Sequence, residues 1–148
     1  MSTAIATTLQ PIPYLAFPGN CEEAMRFYEV TLGGEITVMM RGKDCPAADQ
    51  MPPEFLNNVL NAQLRLPGGG LLYAGDHGGC SGAYEGIKGV TIALNYATEG
   101  EGEKAFNALS EGGTVTMPWA PTFWAKAFGM CVDKFGTPWV INGELLAL

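Results

Sequence analysis

MRFYEVTLGGEITVM, residues 25–39, combines a helical spacing, a glycine stop and the start of a strand. Ala24, Phe27, Tyr28 and Thr31 recur at the interval of one helix face. Gly33 supplies the left-handed residue that ends such a helix. Laid over KAFNALSEGGTVTMP (104–118), a shift of 79, Phe27 falls on Phe106, Gly33 and Gly34 on Gly112 and Gly113, Ile36 on Val115 and Thr37 on Thr116. The same shift sets PYLAF (13–17) over IALNY (92–96). Each half therefore reads strand, helix, Gly-Gly stop, strand.

Outward from the repeat, Asn20 with Glu23 three residues on predicts a capping box for the first helix. Thr98 and the glutamates of EGEGEK (99–104) open the second less cleanly, and Phe106 and Leu109 mark its buried face. After the first helix come a strand at 36–41 and a connection, RGKDCPAADQMPPEF (41–55), too broken by proline for regular structure. Residues 59–66 alternate strictly, with Leu60, Ala62, Leu64 and Leu66 on one face and Asn61, Gln63 and Arg65 on the other. The turn at 67–70 then leads into LLYAG (71–75), a hairpin. Its glycines join two strands, so they do not place a phosphate at a helix N-terminus. The second half continues with strands at 114–119, 122–132 and 139–143, the last two joined by the turn DKFGTP (133–138). Asp133 and Lys134 belong to that turn, with Gly136 taking the positive φ. The expected fold is α+β: one domain, 1–148, of two tandem βαβββ modules at 11–76 and 88–144.

Charged residues are 16% of the chain against a usual level of roughly 25%, and apolar residues are 47%. So little charge predicts apolar surface hidden in a partner, and self-association into a homodimer is expected. With a net charge of −7 and no cationic run, neither nucleic acid nor an anionic membrane is an expected partner. Cys21, Cys45, Cys80 and Cys131 form no C-x-x-C pair, and MSTAIATTLQPIPY lacks the basic and continuous apolar regions of a signal peptide. No stretch reaches the roughly 18 apolar residues of a membrane span. These features predict a reduced, cytoplasmic protein.

FY-x-x-x-LGG (27–34) in a duplicated βαβββ pattern resembles the vicinal oxygen chelate superfamily, home of glyoxalase and bleomycin-resistance proteins. PYLAFPGNCEEAMRFY (13–28) and TFWAKAFGMCVDKFGTPWVIN (122–142) resemble its PhnB-like branch. The resemblance implies a curled eight-stranded mixed sheet with helices on its outer face, and a homodimer. Some family members carry a label for 3-demethylubiquinone methylation. Nothing in the chain resembles the glycine-rich strand-to-helix loop of an S-adenosylmethionine-binding Rossmann fold, so that activity is not carried over. Metal-dependent members take His, Glu or Gln from first and last strands. The matching positions here hold Ile12 or Pro13, Thr91, Leu72 or Tyr73, and Val140 to Asn142, none of them His, Glu or Asp. No metal site of the family type and no cofactor are expected.

The strand at 122–132 carries the most chemistry. One face is Trp124, Lys126, Phe128 and Met130, and the other is Phe123, Ala125, Ala127, Gly129 and Cys131. Small residues let a helix approach closely, while the rings need space in front of them. That pattern suits the wall of a ligand cup with Lys126 as its placed polar group; ordinary core filling, with Lys126 reaching out to water, is the alternative. Gln63 and Arg65 line the same cup if the polar face of 59–66 turns inward, Arg65 then anchoring an anionic group; otherwise that face is solvated. Asp76 and His77 follow the hairpin, Asp76 at the strand end facing either the cup or solvent, His77 in a glycine-rich loop. Cys131 on the small face reads as buried and inert. Two functions remain open: a small-molecule binding protein with a metal-free aromatic cup, or an enzyme of the glyoxalase, isomerase or dioxygenase type using metal or acid–base chemistry.

Overall fold

The computed structural model describes residues 9–76 and 83–147. The first module runs β1 (Tyr14–Phe17), α1 (Cys21–Leu32), β2 (Glu35–Arg41), β3 (Val59–Arg65) and β4 (Leu71–Asp76). The second runs β5 (Ile92–Tyr96), α2 (Glu99–Ser110), β6 (Thr114–Ala120), β7 (Ala125–Val132) and β8 (Pro138–Leu145). Three short 3-10 turns (Gly42–Asp44, Ala48–Gln50 and Pro53–Phe55) fill the proline-rich connection between β2 and β3. The two sheets have equivalent orders, β1-β4-β3-β2 and β5-β8-β7-β6. In each, the first strand pairs parallel with the fourth and the other neighbours are antiparallel. The repeat in the sequence is thus a repeat in topology, and the fold is α+β as expected.

The eight strands form two four-stranded sheets rather than one continuous ladder within the chain. The modules join instead through their helix-covered faces. Leu15, Phe17, Ala62, Leu64, Leu72 and Ala74 from the first sheet and Phe106, Leu109, Cys131, Trp139 and Ile141 from the second module belong to one core. Ala24, Met25, Tyr28 and Leu32 of α1 complete it.

The seam is built from aromatic rings. Tyr28 of α1 lies edge-on to Trp139 of β8 at 5.4 Å between ring centroids, and Phe27 meets Phe135 at 5.6 Å. The Tyr28 and Thr137 hydroxyls are 2.8 Å apart and share a buried hydrogen bond. The turn that presents Phe135, Thr137 and Trp139 is shaped by one carboxylate. Asp133, 3% exposed, accepts from the Phe135 and Thr137 backbone N–H groups at 2.8 and 3.1 Å and from Trp139 Nε1 at 2.8 Å. Gly136 closes the turn at φ 91°, as the sequence predicts. Lys134 sits with its ammonium 4.6 Å from the centre of the Phe27 ring.

The small face of β7 does let a helix in. A Cβ built at Gly129 would come within 2.6 Å of the Phe106 ring of α2. Ala125, Ala127 and Cys131 on the same face are buried, and burial raises the Cys131 thiol pKa.

One local expectation fails. Asn20 makes no side-chain cap hydrogen bond, so the capping box is not formed. Asp76 from the end of β4 takes its place, one oxygen accepting from Cys21 N–H at 2.9 Å and the other from Val59 N–H at 2.8 Å. A carboxylate satisfies an orphan helix N–H and complements the helix dipole, which the neutral Asn20 amide does less well. Burial, reinforced by Asp76, pushes the Cys21 thiol up to about 12.

Replacing Asp133 with Ala would strand three N–H donors, two of them belonging to buried residues. Equilibrium denaturation is expected to show a loss of about 4 kcal/mol for Asp133→Ala. Lys134→Ala, which removes only an exposed cation–ring contact, is expected to cost under about 1 kcal/mol. Equal losses would contradict this account of the turn.

Candidate functional site

Each sheet has one face under a helix and one face turned away from it. The core consumes the first, so any site on the sheets belongs to the second. On β7 the alternation that buries Ala125, Ala127 and Cys131 puts Lys126, Phe128 and Met130 on this open side. Trp124, just before the strand, stacks obliquely on Phe128 with 4.7 Å between ring centroids, and Phe123 stands edge-on to Trp124 at 5.0 Å. Register continues the wall across neighbouring strands: Phe128 pairs with Asn142 of β8 and with Ala120 of β6, and Met130 with Val140 and Met117.

Polar groups are set into this wall in a line. Trp124 Nε1 donates to Asn142 Oδ1 at 2.9 Å, and Asn142 Nδ2 donates to Asn95 Oδ1 on β5 at 3.0 Å. Asn142 is 9% exposed, so its amide is held by protein rather than by water. Lys126 forms an ion pair with Glu144 at 2.8 Å, and that hydrogen bond raises the Lys126 pKa. Glu144 holds this position from a left-handed backbone, φ 58°. The lysine singled out in the sequence is therefore a neutralised cation at the rim. The amides beside the rings were missed. Asn142 and Glu144 follow Val140 at every second position of the last strand, but their partners come from β5 and β7, and no local pattern reveals them.

The structure brings Trp124, Lys126, Phe128 and Met130 together and keeps Gln63 and Arg65 on another sheet. Gln63 pairs with Tyr73 and Val38 in register, and Tyr73 is edge-on to Tyr14 at 6.3 Å. Arg65 is exposed and paired with Glu35 at 3.2 Å, which reduces its value as an anion anchor. Asn61, the third member of that polar strand face, has a solvent-excluded Oδ1 without a partner among the described residues. Asp76 stands apart from these groups: both its oxygens are engaged at the start of α1, on the helix side of β4. His77 lies outside the described residues.

Among the described residues no three His, Cys, Asp or Glu side chains come together as a ligand set. Pro13, Thr91, Tyr73, Val140 and Asn142 occupy the strand positions where such a set is expected.

Clefts open elsewhere on the chain. One of about 370 Å³ runs between Leu32, Leu66 and Pro67 of the first module and Leu94, Asn95, Tyr96 and Glu101 of the second, so Asn95 also borders this cleft. Another of about 480 Å³ lies between the segments holding Pro11 to Leu15 and Val90 to Ile92. Neither is lined by Trp124 or Phe128; on the ring wall Phe128 is buried against Trp124, Trp124 and Met130 are half-buried, and Lys126 is exposed.

Comparison with known proteins gives consistent results. A family model described as 3-demethylubiquinone-9 3-methyltransferase matches residues 10–142. Protein YjdN of Escherichia coli K12 is 32% identical over 141 residues, spanning 88% of this chain and 92% of its own. The crystal structure of PA1353 from Pseudomonas aeruginosa is 43% identical, with TM-score 0.82 over 91% of this chain and 97% of that one. A PhnB protein from Bacillus cereus is 25% identical, with TM-score 0.73 over 90% and 98%. A glyoxylase/bleomycin resistance protein/dioxygenase domain from Frankia sp. EAN1pec, 15% identical, shares the fold at TM-score 0.61 over 93% of each chain.

Proposed function

The chain belongs to the PhnB-like family matched by the 3-demethylubiquinone-9 3-methyltransferase model, within the glyoxalase/bleomycin-resistance superfamily, and we propose that it is a homodimer that binds a small aromatic molecule against the ring wall of β7. The observation that carries this reading is the stacked pair of Trp124 and Phe128 on the face that no helix covers. Phe128, buried at 9% exposure, backs the half-buried Trp124 at 4.7 Å, and an aromatic ligand placed on Trp124 gains about 0.5–1.5 kcal/mol per ring pair beyond simple burial. Trp124, Phe128, Met130 and Met117 give the apolar surface, and Asn142 and Lys126 the few placed polar groups that ligand sites use.

A second copy is the reading's roof. The edge strands β2 and β6 expose Val38, Met40, Val115 and Met117, and a chain with 16% charged residues has little polar surface to spare. Methyl transfer draws no support from the glycine-rich run, because Gly68, Gly69 and Gly70 lie between antiparallel strands. Among the described residues no helix is long and apolar enough to cross a membrane.

A thermal-shift screen of small aromatic compounds tests the reading, since a bound ligand raises the unfolding midpoint with concentration. Compounds that stabilise the wild type are expected to lose at least about tenfold in affinity against Trp124→Ala. Unchanged affinity would place the site elsewhere. Light scattering is expected to give about 31 kDa, twice the 15.7 kDa chain, for wild type and variant alike; a monomer mass would contradict the homodimer.

A further inference from the structure

We infer that Trp124, Asn142 and Asn95 form a relay of fixed polarity, ending in a free N–H donor, that selects aromatic ligands carrying an uncharged carbonyl oxygen. The inference rests on the ring wall being the binding surface and adds the chemistry that surface reads.

The polarity follows from what each group can do. An indole Nε1–H only donates. Its 2.9 Å contact therefore fixes Oδ1 as the end of Asn142 that faces Trp124. Nδ2 of Asn142 is then turned to Asn95, 3.0 Å away, and an amide nitrogen also only donates. Asn95 must answer with Oδ1, which leaves its own NH2 unspent on an exposed residue of the strand beside β8. Flipping either amide would set donor against donor, and because Asn142 is 9% exposed, water does not repair the mismatch. No group in the relay titrates near neutrality, so the direction holds across the physiological pH range.

The fold itself does not need these amides. Asn95 and Asn142 are register partners on the parallel pair of β5 and β8. The equivalent partners in the first module, 79 residues before Asn95, are Ala16 and Gly75 on β1 and β4. At that register position the first module pairs its strands with no polar side chain, and the relay is a feature of the second module alone.

The surrounding charges set the ligand class. Lys126 is neutralised by Glu144 and the chain carries −7 overall, so an anion gains little here. A neutral carbonyl projecting from a ring stacked on Trp124 and Phe128 accepts from the Asn95 NH2 without bringing charge.

The test uses two probes of matched shape, 1-indanone and indane, titrated into the full-length protein while the Trp124 indole N–H resonance is followed by NMR. Wild type is expected to bind 1-indanone about tenfold tighter than indane, the size of one net hydrogen bond. In Asn95→Asp at pH 8 the carboxylate still accepts from Asn142 but offers no donor, so the preference for 1-indanone over indane is expected to fall to parity or below. Equal binding of both probes by wild type, with Trp124→Ala weakening each, would overturn the relay and leave the ring wall standing. A preference that survives in Asn95→Asp would also overturn it. No response of the Trp124 resonance to either probe would overturn both.

Discussion

The carboxylate of Asp133 sits where the two halves of this molecule meet. It is almost wholly buried and spends its two oxygens on two backbone N–H groups and the Trp139 indole. A buried charge is tolerable only when so fully hydrogen-bonded, and here the bonds do geometric work. They lock the turn that offers Phe135, Thr137 and Trp139 to Phe27 and Tyr28 on the first module's helix. FY in the first half and D-K-F-G-T-P-W in the second are therefore two sides of one contact, although 106 positions separate Phe27 from Asp133.

From that contact follows the division of labour between faces. With the modules joined through their helix-covered sides, the shared core takes Cys131 of β7 and the aliphatic rows of β3 and β4, while Ala125 and Ala127 are buried on the same face of β7. The opposite side of each sheet is left uncovered by the chain's own helices. Because strands alternate, every residue that packs the core forces its neighbour outward, and on β7 those neighbours are Lys126, Phe128 and Met130. The ring wall is thus the complement of the core pattern, and Trp124, tied to Asn142, extends it at the strand's start.

How much of this could be read in advance depended on how local the cause was. Gly33 stops α1 in a left-handed conformation, and Gly112 takes a positive φ one residue beyond the extended Glu111 cap of α2; both are written in single residues, so the duplicated modules were legible. The two faces of β7 followed from alternation alone. The division into two four-stranded sheets did not, since it reflects which edges find partners and not what any strand contains. Asp76 was misread for the same reason: a carboxylate beside a histidine in sequence proved to cap a helix that begins 55 positions earlier. Asn95 and Asn142 looked ordinary because their meaning lies in a register 47 residues apart.

The central claim is that the open face of the second sheet, and not a cleft between the modules, receives the ligand. A crystal structure of the protein with a stabilising aromatic compound bound would decide it most directly. The account predicts ligand density stacked on Trp124, on the Lys126 and Met130 side of β7. Density in the cleft among Leu32, Leu66, Leu94 and Tyr96, with the ring wall bare, would contradict it.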